Sequence, residues 1–226
     1  MKNKMLRALT IATVLAALTA TTVLSVSLVQ ESGGGVAKTK KDKPQSLRAI
    51  AERQGVEILL TDTDETAEYP SVTALNKGAT AVIVGNVVSE KAFFAGDEFI
   101  FTEYAVDVKE ILKDVPSEWP YPAKFAPPAP LESPLKVVRH GGEVSVNGNR
   151  AIVRLAGAEL FKTNKDYVLF LTWKSRSKRY QILGGMSGAF LIQGNGKLKP
   201  LGVNDRLKKY EGLTLQDLTA ELGKKM

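Results

Sequence analysis

The chain has 226 residues, 44% of them hydrophobic, with a formal charge of +7 and no cysteine. That length fits one domain with appendages, or two. The lack of cysteine excludes disulfides, thiolate metal sites and a cysteine nucleophile, so the fold relies on its apolar core. Lys2, Lys4 and Arg7 precede any acidic residue. A chain trimmed after residue 27 would carry about +4, a modest excess that gives no reason to expect nucleic acid as a partner.

Residues 1–7 are basic, and residues 8–29 are apolar and uncharged. The pattern is that of an export signal. Ser25, Val26 and Ser27 form a small-x-small cleavage site, yet the apolar run is also long enough to approach a membrane span. Residues 1–29 are therefore expected to be a signal peptide, with an uncleaved membrane anchor as the alternative. Either places the rest of the chain in the periplasm, outside the cell, or on the outer face of the membrane. Residues 30–45, with glycines 33–35 and Lys38, Lys40, Lys41 and Lys43, read as a flexible basic linker.

Residues 46–71 are expected to hold a helix and an acidic loop. Ser46 is a good N-cap, Leu47, Ile50 and Ala51 follow at helical spacing, and Gly55 is a good stop. The spacing predicts a helix over 47–54 and then a short strand over 56–60. Asp62, Asp64, Glu65 and Glu68 lie in the loop at 61–71. They lack the further oxygen ligands and turn glycine of a calcium loop, so a solvated loop is expected. A short helical turn over 71–77 should lead into the main domain.

That domain, 72–212, opens with two apolar runs, 79–89 and 99–112, flanking a nine-residue connection at 90–98. Their β-branched density favours strands, so the stretch reads as a wide hairpin. Gly85 interrupts the first run, the usual mark of a bend or close backbone approach. In the second run Tyr104, Val106 and Val108 share a face, but Glu110 falls where that parity wants a hydrophobe. Such a slip implies an extra residue, a β-bulge. Residues 114–134 carry seven prolines with Trp119, Tyr121 and Phe125 among them, a proline-rich insertion in extended conformation. A strand follows at 135–140. Asn147-Gly148 between alternating runs predicts a type I′ hairpin turn. Residues 166–173 should be a buried strand, and Lys174, Arg176, Lys178 and Arg179 a basic tip. A strand at 189–193, a turn at 194–196 and a further strand at 197–203 complete the β region. Thr214 caps a C-terminal helix within 213–226, with Leu215, Leu218, Thr219 and Leu222 on one face.

The stretches ATAVIVGNVVSEK and IFTEYAVDVKEILKD resemble the opening hairpin of the netrin-like module of tissue inhibitors of metalloproteinases. With GGEV at 141–144, YVLFL at 167–171 and the glycines at 184, 185 and 188, residues 72–203 are also similar to an uncharacterised exported bacterial domain family. The resemblance implies a mainly β fold: a small OB-like β-barrel, closed or partly open, with a short N-terminal helix and a C-terminal helix. Those inhibitors chelate zinc through an N-terminal cysteine. This chain has none, so that chemistry is not carried over.

Three functions follow as expectations. The first is non-catalytic binding, or inhibition, of an extracytoplasmic protein or glycan. In OB-type barrels the first interstrand loop flanks the ligand face, and here that loop carries Phe93 and Phe94. Together with Trp119 and Tyr121 they are the candidate partner patch, or a cap on the barrel end. The second is a serine hydrolase: Gly185-Met186-Ser187-Gly188 looks like a nucleophile segment, with His140 as the base 47 residues upstream and Asp166 between them. The third is a structural protein tethered to the envelope by residues 8–29. One histidine and no cysteine offer no metal set, and no phosphate-cradling glycine loop is present, so no cofactor is expected.

Overall fold

A computed structural model describes residues 45–60, 69–114, 127–156, 159–202 and 204–223. Residues 1–44, which hold the stretches expected to be a signal peptide or anchor and a linker, the acidic residues 62, 64, 65 and 68, and Trp119, Tyr121 and Phe125 lie outside them. Leu47–Met226 form one compact unit. Among the described residues no helix is long and apolar enough to cross a membrane.

The fold is mainly β. In chain order it comprises α1 (Leu47–Arg53), β1 (Val56–Leu60), α2 (Val72–Gly78), β2 (Ala81–Ala95), β3 (Phe99–Lys113), β4 (Leu135–His140), β5 (Gly142–Val146), β6 (Asn149–Leu155), β7 (Asp166–Lys174) and β8 (Arg179–Ile182). A 3-10 turn (Gly185–Gly188), β9 (Ala189–Ile192), β10 (Leu198–Pro200), a second 3-10 helix (Asp205–Tyr210) and α3 (Leu215–Leu222) follow. The large sheet runs β10-β9-β7-β2-β3-β4-β8, and β8 pairs back with β7. Strands β7, β2, β3, β4 and β8 therefore close on themselves as a ring. All its pairs are antiparallel except β4–β8. A second sheet, β1-β6-β5, leaves the ring where β4 turns into β5.

The β2–β3 hairpin is longer than the apolar runs alone predict. Residues 90–95, expected in a wide loop, continue β2 and pair from Glu90↔Tyr104 to Ala95↔Phe99. Only residues 96–98 turn, with Gly96 at φ 66°. The loop reading fails because the register slips: Val88 is an extra residue between the pairs Val87↔Val106 and Ser89↔Ala105. One inserted residue exchanges the two faces, so the pattern beyond it stops matching that before it. Two further slips place extra residues Lys109 and Leu112 in β3, on either side of Glu110, where the parity break predicts a bulge.

Among the described residues three apolar clusters form on these strands. Inside the ring lie Ile83, Tyr104, Val106, Val137, Leu169 and Leu171, among others. Alternation turns Val82, Val84, Val168 and Phe170 to the opposite face, where they meet α2, α3 and the second 3-10 helix. Both faces of β7 and of the first half of β2, through Val87, are thus buried, which explains their nearly unbroken apolar runs. The third cluster joins α1 through Leu47 and Ala51 to Ile100, Ala151 and Val153.

The helices end as their sequences suggest. Ser71 Oγ accepts from Ala74 N at 3.1 Å, and Thr214 and Asp217 form a capping box. No sequence pattern marks Tyr210. Its hydroxyl accepts from Val72 N at 3.2 Å and donates to Glu221 Oε1 at 2.6 Å, clasping α2 to α3. The strand expected over 197–203 shortens to β10, because the chain turns into the 3-10 helix that carries Tyr210.

At the β5–β6 turn Asn147 and Gly148 have φ of 51° and 81°, the pair of positive values a type I′ turn requires. A Cβ at Gly148 would meet nothing within 4 Å, so the cost of a side chain there is backbone strain alone. Gly148→Val is expected to lower stability by about 1 kcal/mol or more. Chemical denaturation checks this, and an unchanged midpoint would contradict the turn assignment.

Candidate functional site

In β3 the even-numbered residues from Ile100 to Val106 are buried, and the odd-numbered ones face outward. Phe99 and Phe101 therefore stand on the outer surface. Pairing places Phe93 of β2 and His140 of β4 on either side of Phe101. The rings form a continuous platform. Phe101 stacks on His140 at 5.0 Å between centroids and on Phe93 at 6.4 Å, while Phe99 meets His140 edge-on at 5.9 Å. Phe99 is 52% exposed and the other three are half-buried.

Charge borders the platform. The Arg179 guanidinium lies 4.9 Å from the centre of the Phe93 ring. Glu103 sits between two cations, with Arg179 Nε at 3.4 Å and Lys136 Nζ at 3.5 Å. Partly exposed ion pairs of this kind add little stability. Their effect is on placement: Glu103 holds Arg179 where its flat face covers an aromatic ring. Beyond Arg179, residues 175–178 form the β7–β8 turn, so Lys174, Arg176 and Lys178 make the basic tip expected from the sequence.

Phe93 and Phe94 are adjacent in an extended strand and so take opposite faces. Phe93 joins the platform. Phe94 packs against the α1 cluster, with the Arg48 guanidinium 4.9 Å from its ring centre. Trp119 and Tyr121 lie outside the described residues. The described end of the proline-rich insertion does pack on the ring: Ala129 and Leu131 lie against its inner cluster. There the Tyr180 hydroxyl donates to Ala129 O at 2.6 Å, and Val108 N donates to Ser133 Oγ at 2.7 Å. Burial pushes the Tyr180 hydroxyl pKa up to about 12, with the charge of Asp114 adding to the effect. A cleft of about 310 Å³ between this segment and the ring is lined by Pro130, Trp173, Tyr180 and Arg179. Arg179 therefore borders both the cleft and the platform.

The hydrolase candidates have separate surroundings. Ser187 is 8% exposed, and its backbone N–H donates to Gly184 O at 3.1 Å. A Cβ on Gly202 would come within 2.7 Å of Ser187 N, and one on Gly188 would meet the carbonyls of Leu183 and Phe170. Gly184 and Gly185 have φ of 61° and 58°. Close packing and positive φ thus account for this glycine-rich segment, which is a tight link between β8 and β9. His140 belongs to the aromatic platform. Asp166 accepts from Asn86 Nδ2 at 2.6 Å and from Lys109 Nζ at 2.7 and 2.8 Å. Among the described residues no group of three or more acidic or histidine side chains is placed to hold a metal ion.

Searches of known proteins find no family model that matches the chain and no match among curated proteins.

Asp166 also carries a pH prediction. Burial pushes its carboxyl pKa up, but the hydrogen bonds from Lys109 and Asn86 outweigh this and leave it below the usual value. A depressed folded pKa stabilises above the unfolded pKa, roughly 4, and that contribution is lost as pH falls through the folded value. Asp166→Asn should lower the melting temperature at neutral pH and flatten its decline below about pH 4. Parallel acid titrations of the two proteins check this; curves of equal slope would contradict it.

Proposed function

We propose that the chain is an exported, non-catalytic binding module, that its five-stranded ring is a small OB-type barrel, and that it binds a glycan on the platform of Phe93, Phe101 and His140. The strand order supports the barrel reading. In OB-type barrels the first strand pairs with the second and the fourth, and the third pairs with the fifth in parallel. Strands β2, β3, β4, β7 and β8 pair in that pattern, with β4–β8 as the one parallel contact. Phe101 and His140 then belong to the second and third strands, where such barrels hold their ligands, with Phe93 beside them on the first strand and the 96–98 and 175–178 turns flanking the platform. The basic and then apolar pattern of residues 1–29, that of a signal peptide or membrane anchor, supports the exported reading.

The observation that carries the reading is the composition of the platform. Flat rings are laid in the surface, with Glu103, Arg179 and Lys136 interspersed. Charged residues are depleted from the cores of protein–protein interfaces, whose anchors fill deep, dry pockets. A sugar ring suits this surface better. Its apolar face covers an aromatic ring while its hydroxyls meet the carboxylate and the cations.

Phe93→Ser with Phe101→Ser tests the proposal, because both side chains lie on the outer surface of the ring and outside the apolar core clusters. Cosedimentation of the full chain with insoluble cell-wall polysaccharide is expected to fall at least tenfold, with the melting temperature changed by only a few degrees. Phe94→Ser should instead cost stability, through its packing with α1, and leave binding by the folded protein intact. Undiminished sedimentation of the double variant would overturn the proposal. Loss of a captured protein rather than of polysaccharide would reassign the platform to protein docking.

A further inference from the structure

Positive charge is unevenly placed along the chain. Residues 46–226 hold 24 lysines and arginines against 22 acidic residues, so this part is close to neutral. Yet no acidic residue falls between Asp166 and Asp205, and four cations, Lys174, Arg176, Lys178 and Arg179, occupy six consecutive positions there. They sit together at one end of the β7–β8 hairpin. Lys174, Arg176 and Lys178 are exposed, and none of the three is ion-paired among the described residues. Lys178 has φ 52°, in the left-handed region that glycine or asparagine usually fills. Backbone strain of this kind collects at binding sites.

Lys178 lines the 310 Å³ cleft beside the proline-rich segment, with Lys136 and Arg179. Glu132 is the one acidic residue of the described lining. The rings of Trp173 and Tyr180, 5.0 Å apart, give the cleft an apolar part. Lys136 and Arg179 already share Glu103. Even with Glu103 counted, one positive charge is in excess at the cleft, and Lys174 and Arg176 on the same hairpin end raise the excess to three. Like charges this close repel one another, and an anion brought among them relieves that repulsion. The cleft has the volume of a small ligand site.

Resting on the platform reading above, we propose that the bound glycan is anionic: one sugar covers Phe93 and Phe101, and a negatively charged group of the same polymer enters the cleft lined by Lys178, Lys136 and Arg179. Arg179 joins the two places, since it covers the Phe93 ring and lines the cleft. The charged group is a carboxylate or a phosphodiester carried on the polysaccharide. A neutral sugar gains nothing from the cations of the hairpin end. Nucleic acid fits less well, because the rest of residues 46–226 has no net positive charge with which to follow a long phosphate backbone. The cations are exposed, so added salt weakens their contribution.

Cosedimentation of the full 226-residue chain with insoluble bacterial cell-wall polysaccharide tests this in four forms of the wall. These are untreated wall, wall whose carboxylates are amidated with carbodiimide, wall stripped of phosphodiester polymers by hydrofluoric acid, and wall treated both ways. Untreated wall is expected to bind most tightly, and the single treatment that abolishes the difference identifies the group. Arg176→Gln with Lys178→Asn should weaken binding to untreated wall by roughly fivefold or more, leave binding to doubly treated wall unchanged and hold the melting temperature. Lys165→Gln with Lys197→Gln removes the same charge at the other end of β7 and in the β9–β10 turn, and should change neither. Equal binding to untreated and doubly treated wall would overturn the anionic reading and leave the platform standing. Binding to neither would overturn both. An equal loss in the Lys165 and Lys197 variant would reduce the effect to net charge, and tighter binding of a short single-stranded DNA would assign the cleft to nucleic acid; either contradicts the proposal.

Discussion

The fold depends on how closely β2 and β3 approach at Gly85. A Cβ at that position would collide with the Val106 side chain and lie 3.1 Å from Asp107 O. Without a side chain, the two strands draw together and the hairpin coils. Register slips at Lys109 and Leu112 in β3 and at Val88 in β2 sharpen that coil. Bulges of this kind bend a strand and increase its twist, which is what a sheet needs in order to close with few strands. The bent hairpin lets β2 pair with β7 along one edge while β3 carries β4 around to β8.

The same bends create the surfaces with functional interest. The Val88 slip turns Phe93 outward and Phe94 toward α1, separating two residues that are neighbours in sequence. The extra residue Lys109 brings its ammonium to Asp166 at the start of β7. At the end of β4, Gly141 and Gly142 have φ of 91° and 140°, and a Cβ on Gly142 would collide with Thr102 Oγ1. That corner sends β5 away from the ring. One strand, β4, contributes to both sites, with His140 in the aromatic platform and Lys136 in the cleft beside the proline-rich segment.

Much of this was legible in the sequence, for local physical reasons. The Asn147-Gly148 turn, the Ser71 and Thr214 caps and the buried β7 each depend on a few neighbouring residues. The parity break at Glu110 was a local signal too, and the slips flank it. What was hidden depends on distant partners. Continuation of β2 through residues 90–95 rests on pairing with β3, and a bulge erases the alternation that would have revealed it. Phe99 and Phe101 share the outward parity of Glu103 and were readable as a pair. Their contact with His140 and the reach of Arg179 to Phe93 require the folded ring. Lys136 carries no local signal, since only the fold shows that it lines a cleft with Lys178.

The closure of the ring is the claim on which both surfaces rest, and its narrowest part is the β4–β8 contact, registered at Val137↔Tyr180 and Val138↔Gln181. Amide hydrogen exchange measured residue by residue tests it directly. A closed ring predicts that amides in the β4–β8 contact exchange as slowly as those in the central β2–β7 pair, and in the same cooperative step. Fast, independent exchange at 137–138 and 180–181, with β2–β7 still protected, would show an open sheet and contradict the account.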